Sequence, residues 1–207
     1  MASIHIMQEK VVAYEAFYQV FPQVAIAVAR GQDRLRVPIE GTGGVALVAG
    51  DYVDALEESF EIVSDHLLVD RLRTGEHAVQ TGDFFSEKEI AEELGMGLAP
   101  DSAAMMALPA IGAPAPGGAS RWKLVVGGPA RQALVELAEA DRKEVWRLLV
   151  GELVADPEGT GIELLGDLSR RHLVVVAGLR VIYRIDTTQH AVRLIDLHRR
   201  EFLHLER

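Results

Sequence analysis

Gly178-Leu-Arg-Val-Ile-Tyr-Arg-Ile-Asp186, then Thr187, Thr188, Gln189 and His190, then Val192-Arg-Leu-Ile-Asp-Leu-His-Arg-Arg-Glu201, is the stretch that decides the fold. Two runs rich in β-branched residues around a short polar stretch read as an antiparallel hairpin. Arg180, Arg184, Arg193, Arg199 and Arg200 ride on it, so a small sheet is expected to present a cationic surface. A guanidinium grips phosphate through a planar fork of donors, and this corner is where chemistry, or at least RNA contact, is expected.

The rest of the chain sets the frame for that hairpin. With 207 residues and 49% hydrophobic content, the chain suits one ordinary domain or two small ones. It has no cysteine, which excludes disulfides and thiolate metal sites. Met1 to Lys10 has no basic stretch followed by an apolar core, and no apolar run approaches the roughly 20 residues that span a bilayer. A soluble cytoplasmic protein without membrane contact is the expectation. The net charge of -10 is unevenly distributed: residues 1–117 carry 18 acids against 7 Lys/Arg, whereas from Arg170 onward 8 arginines face 4 acids. An acidic first part followed by a cationic face suggests that one covers the other.

Several local signals divide the chain. Between Gly95 and Ser120 the sequence is rich in Ala, Gly and Pro, with Asp101 its only charge. Pro109, Pro114 and Pro116 oppose a continuous helix there. Met105, Met106, Leu108 and Ile111 are expected to pack in extended form on a groove of the C-terminal domain, with residues 113–120 as linker. Upstream, Ile4-His-Ile is a brief strand candidate, and Val11 to Arg30 reads as one or two helices interrupted near Pro22. Val37-Pro-Ile-Glu and Val45-Ala-Leu-Val make a hairpin around Gly41, Gly43 and Gly44. Asp51 is an N-cap candidate for a helix over 52–63, where Val53, Leu56, Phe60 and Val63 fall at helical spacing. Ser64 or Asp65 caps a helix over 67–75, and Ser86 with Glu89 is a capping-box pattern for a helix over 87–94. Downstream come strand 122–126, a helix opening at Pro129, a second helix ending near Asp156-Pro157, strand 173–176 and the hairpin, in the order βααβββ.

That order, with Pro157, Leu164 or Leu165 before Gly166-Asp-Leu, the Gly178 to Asp186 run and His198-Arg-Arg-Glu201, closely resembles the RelE/ParE superfamily of bacterial toxins over residues 121–203. The part from Val37 to Glu93 is similar to Phd/YefM antitoxins through its glycine-bearing hairpin, Val45-Ala-Leu-Val-Ala-Gly-Asp-Tyr-Val-Asp-Ala-Leu-Glu-Glu-Ser and Glu61-Ile-Val-Ser-Asp. The pair of resemblances implies an antitoxin fused to its toxin. The implied fold is α+β: a Phd/YefM-like N-terminal domain over 1–63, a helical or extended toxin-wrapping segment over 64–112, a linker over 113–120, and a RelE-like βααβββ antiparallel-sheet domain over 121–207.

The implied activity is a metal- and cofactor-independent endoribonuclease that cuts mRNA on the ribosome, with the 2'-hydroxyl attacking the neighbouring phosphate. In that scheme cationic side chains hold the phosphate and stabilise developing charge, while a base and an acid move protons. Arg180 follows Gly178 as the family's catalytic arginine does, Arg199 matches the arginine after the last strand, and Arg171 stands where another basic residue usually lies. Relatives with strong ribonuclease activity often carry a tyrosine shortly after the His-Arg-Arg-Glu stretch. Here Phe202, Leu203 and His204 take that place, which leaves His198 or His204 for proton transfer. The resemblance also admits a ParE-like toxin directed at gyrase, or a catalytically dead fold in a DNA-binding regulatory or interaction protein.

The expected partners are the intramolecular antitoxin–toxin contact, mRNA on the ribosome, operator DNA for the N-terminal part and a second copy in a homodimer. For operator DNA the basic residues available are Lys10 and Arg30, with Arg34 and Arg36 just after. The wrapping segment is expected to lay carboxylates on the arginines, while Leu67, Leu68, Phe84, Phe85, Ile90 and Leu94 supply apolar contact. Simpler readings fit other residues. Tyr183 is a packed strand aromatic with its hydroxyl satisfied, and Trp122 and Trp146 are core. His66, His77 and Asp83 have no metal-ligand spacing. Gly41-Thr-Gly-Gly44 lacks the lysine of a phosphate loop and reads as a turn.

Overall fold

The computed structural model describes residues 8–30, 33–41, 43–96 and 121–199. The expected strand at Ile4-His-Ile, the apolar stretch and linker between Gly97 and Ser120, and His204 lie outside the described residues. The chain divides between Phe60 and Glu61 into two compact units.

In the first unit, strand β1 (Gln8–Val11) leads into helix α1 (Tyr14–Ala29), strand β2 (Asp33–Ile39) and strand β3 (Gly43–Leu47). β1 runs parallel to β2, which α1 allows by carrying the chain back, and β2 pairs antiparallel with β3 in the expected hairpin. The helix is continuous through Pro22 rather than broken there. Packing of the helix on the sheet overrides the lost backbone donor, for Val28, Leu35 and Val37 are buried together with Phe17, Val24 and Leu47 against them. Helix α2 (Gly50–Ser64) follows, starting two residues earlier than an Asp51 cap implies. Its expected apolar stripe is exposed, Phe60 at 71% and Leu56 at 50%, while Ala55, Ser59 and Ile62 are buried.

The second unit is a six-stranded sheet in the spatial order Phe84–Ser86 (β4), Lys123–Gly127 (β5), Ala191–Arg199 (β9), Leu179–Asp186 (β8), His172–Val176 (β7) and Ile162–Glu163 (β6), with helices on both faces. Helix α3 (His66–Thr81) starts where the Asp65 carboxylate accepts from the Leu67 amide at 2.9 Å, and it ends on Gly82 with φ of +87°. It is longer than the expected 67–75. Strand β4 (Phe84–Ser86) leads into helix α4 (Glu87–Leu94), which carries the expected capping box: the Ser86 amide donates to Glu89 Oε2 at 2.7 Å and the Glu89 amide donates to Ser86 Oγ. After the undescribed stretch come strand β5 (Lys123–Gly127), helix α5 (Gly128–Glu136) with Pro129 in its first turn, and helix α6 (Glu139–Leu148). A π turn (Leu149–Leu153) and the short helix α7 (Pro157–Thr160) precede strand β6 (Ile162–Glu163). A 3-10 turn (Gly166–Leu168), strand β7 (His172–Val176), strand β8 (Leu179–Asp186) and strand β9 (Ala191–Arg199) complete it.

The α+β class and the βααβββ order therefore hold, with a two-residue strand β6 added. The sheet is mixed rather than antiparallel, because β5 lies parallel to β9, with α5, α6 and strands β6 to β8 between them along the chain. The segment from Glu61 to Leu94 is helical with one short edge strand, β4, paired to β5. It contributes Ile90 and Ala91 to the core under α5 and α6, and Ile62 and Leu72 to the core on the opposite face with Leu173, Ile182 and Ile195. Full burial of each of the larger ones, Ile62, Leu72 and Ile90, is worth about 1.5–3 kcal/mol. Of the apolar residues expected to bind, Ile90 is buried and Leu68, Phe85 and Leu94 are half-buried, whereas Leu67 and Phe84 are exposed.

Candidate functional site

Strand β9 is where chain geometry builds the site. In its pairing with β8, Ile182 lies opposite Asp196 and Tyr183 opposite Leu194, so Ile195 has no partner and forms a bulge. A bulge shifts the alternation of side chains by one residue. Val192, Leu194 and Leu197 consequently point into the core that also holds Val181 and Tyr183, while Asp196 and His198 escape to the other face. A strictly alternating strand with Val192 and Leu194 inside would have driven Asp196 and His198 into apolar surroundings, at a cost of several kcal/mol for the charge.

Helix α3 lies directly against that bulge. A Cβ on Gly75 would collide with the Ile195 carbonyl oxygen, so only glycine permits this approach. Beside it opens a groove of about 650 Å³ lined by the end of α2, by α3, α5, β8 and β9, with Glu61, Arg71, Arg180, His198 and Arg199 among its walls. Arg180 sits cross-strand from His198, and its side chain is only 3% exposed. Glu61 closes on it as a salt bridge. His198 Nδ1 lies 2.7 Å from Asp196 Oδ2, and the other oxygen of Asp196 accepts from Arg71 Nη2 at 2.9 Å. Arg71 Nη2 also donates to the Leu197 carbonyl at 3.0 Å. Burial pushes the Asp196 carboxyl up, but the His198 hydrogen bond and the Arg71 charge outweigh it and hold it below the usual carboxylate range.

Of the sequence-derived site residues, Arg180, His198 and Arg199 converge on the groove. Arg199 is more open and donates to Asp141 Oδ2 at 2.6 Å. Arg171 does not line the groove: its fork is clamped on Glu76 at 2.8 and 3.0 Å, and its Nη1 donates to the Asp167 carbonyl. Arg184 lies 3.8 Å from the same Glu76 carboxylate. Arg193 is held by Asp186 within the hairpin at 2.7 Å, and the bond lowers the Asp186 carboxyl. Tyr183 is fully buried, donates to the Pro157 carbonyl at 2.7 Å, and burial pushes its hydroxyl far above the ordinary tyrosine value. Trp146 is buried, and Trp122 stacks on His190 with centroids 4.1 Å apart. Asp196, Arg71 and Glu61 were not among the expected site residues. The sequence signal for Asp196 is the double apolar step Leu194-Ile195, which breaks the period-two pattern. No group of three or more His, Asp or Glu residues is placed to hold a metal among the described residues, and no described helix is long and apolar enough to cross a membrane.

The fold and groove thus define an α+β protein in which carboxylates from helices α2 and α3 occupy the arginines of the following sheet. No protein-family profile and no curated protein matches the chain. Among solved structures it is similar to the RelBE2 toxin–antitoxin complex from Mycobacterium tuberculosis, with 22% identity over 39% of this chain and 100% of that chain and a TM-score of 0.38. It is also similar to the intact RelBE toxin–antitoxin complex from E. coli, with 18% identity over 40% of this chain and 100% of that chain and a TM-score of 0.34.

Proposed function

We propose that the chain is a fused toxin–antitoxin pair in which residues 121–207 form a RelE-like endoribonuclease and the preceding Phd/YefM-like part holds it inactive. The observation that carries this reading is Glu61 seated on the nearly buried Arg180, in the groove shared with His198 and Arg199. An arginine there would cradle the scissile phosphate. The 2'-oxygen would bond to phosphorus as the P–O5' bond breaks, with a base taking the 2'-hydroxyl proton and an acid returning one to the 5'-oxygen. The products are a 2',3'-cyclic phosphate and a 5'-hydroxyl. Guanidinium groups would stabilise the charge gathering on the phosphoryl oxygens. Arg171, clamped by Glu76 outside the groove, becomes a candidate for binding RNA only after that clamp opens. Glu61 at the end of α2 and the segment 64–112 would together be inhibitory and 113–120 the tether, and linkage in one chain raises the inhibitor's local concentration to roughly millimolar or above.

Glu61→Gln combined with Glu76→Gln in the full chain tests this. The intact chain is expected to leave ribosome-bound mRNA uncut and the double variant to cut it. Full-length wild type that cuts as fast as the double variant removes the inhibitory role. One observation favours a second reading, a closed module without activity: Ile62 and Leu72, flanking Glu61 and Glu76, are buried in a core with Ile182 and Ile195 rather than lying on a detachable surface. A folded double variant that leaves mRNA intact decides for that reading, and inhibition of gyrase by the same variant would assign the ParE-like branch.

A further inference from the structure

The carboxylate side of the groove carries chemistry that the arginines do not use. Asp196 is 1% exposed and His198 7% exposed, and both stand on the face that the Ile195 bulge turns away from the main core. An ionised carboxylate can only accept hydrogen bonds. The His198 Nδ1 facing Asp196 Oδ2 at 2.7 Å must therefore bear the proton, which leaves Nε2 with its lone pair when the ring is neutral. Both oxygens of Asp196 are occupied, one by His198 and the other by Arg71, so the carboxylate cannot turn. Nε2 is itself buried and has no hydrogen-bond partner among the described residues, although His198 lines the groove. A buried ring nitrogen without a partner calls for an explanation, because a purely structural histidine normally satisfies both nitrogens.

We propose that Asp196 is the positioning residue of an Asp196–His198 dyad, fixing the His198 tautomer so that Nε2 serves as the proton acceptor of the groove beside Arg180, with Arg71 locking the carboxylate. What the dyad does rests on the ribonuclease reading; its tautomer does not. Arg71 runs against the trend of its segment, which otherwise delivers carboxylates to arginines at Glu61 and Glu76. Here the segment delivers a cation to the carboxylate that orients the histidine. The same helix that covers the groove thus holds the dyad in working geometry. The dyad supplies the proton acceptor in a chain whose place for the family's tyrosine holds Phe202, Leu203 and His204.

The test is the ring 15N signature of His198 in the labelled full chain, recorded where the ring is neutral. The wild type is expected to show the Nδ1–H tautomer, and Asp196→Asn, whose amide can donate to Nδ1, to lose it in favour of Nε2–H. An Nε2–H wild type, or ring shifts unchanged in Asp196→Asn, overturns the proposal, and the wild-type measurement decides even if the variant fails to fold. In the Glu61→Gln, Glu76→Gln background, Asp196→Asn is expected to lower kcat for RNA cleavage about 100-fold or more with KM little changed, because the wrong tautomer takes away the proton acceptor. Cleavage undiminished after loss of the Nδ1–H tautomer also overturns the proposal. Absence of cleavage in that background, with the tautomer present, counts against the ribonuclease reading instead.

Discussion

Arginines decide little here until their partners are known. Arg171, Arg180, Arg193 and Arg199 each find a carboxylate, and those of Arg171 and Arg180 come from elements more than ninety residues upstream. Removing one partner of a buried pair costs about 3–5 kcal/mol, and rather less at Glu61, whose side chain is a third exposed. Glu61→Gln is therefore expected to lower the urea midpoint of the second unit while exposing Arg180. Tyr183→Phe leaves the buried Pro157 carbonyl without its donor, an expected loss of about 1–3 kcal/mol by urea unfolding, with no change in any RNA cleavage. His172 stacks on Tyr183, and burial lowers its proton affinity against the opposing charges of Glu163 and Glu158. The unfolded chain takes up that proton below about pH 6.5 and the folded chain resists it, so stability falls as pH drops through that window. His172→Gln should flatten this slope between about pH 6.5 and the lower folded value, as read from urea midpoints across the range.

Among the elements, the helix starts at Asp65 and Ser86 were legible and helix faces were not. The Ser86 capping box and the Asp65 cap follow from local chemistry, and both form. Ser86→Ala is expected to cost about 1 kcal/mol of stability, measured by thermal unfolding. The stripe Val53, Leu56, Phe60 and Val63 has perfect helical spacing and still faces outward, because periodicity identifies a stripe without showing which face a neighbour covers. Helix α3 runs on past the expected end at Gly75, where the glycine serves contact with the Ile195 bulge and does not stop the helix. Gly75→Leu forces α3 off β9, with an expected destabilisation of about 1–3 kcal/mol and loosening of the Arg71–Asp196 bond. Faster amide exchange in α3 would register that loosening.

At the scale of the whole chain, the acidic segment from Glu61 to Leu94 is a structural part of the unit it joins. It supplies the edge strand β4 and residues of both cores. Residues 118–207 produced alone would expose the unpaired edge of β5 and the apolar face around Ile182 and Ile195, and are expected to be aggregation-prone. Addition of residues 1–111 in trans should restore solubility, as followed by light scattering. A fragment that stays monomeric and folded alone would show that the upstream segment is dispensable for the core.

The sequence by itself determined the element order of the C-terminal part, the hairpin and the residues that bear charge, because these depend on period, turn chemistry and composition within short windows, while the α+β class followed from the resemblance. The resemblance also marked Arg180, His198 and Arg199, together with Arg171 and His204, as site candidates. Only the tertiary structure decided that β5 runs parallel to β9, that Arg171 leaves the groove for Glu76, and that Asp196 stands behind His198. Those outcomes hinge on one unpaired residue at the bulge and on contacts between residues about one hundred positions apart. Their free energies appear only once the chain has brought distant groups together.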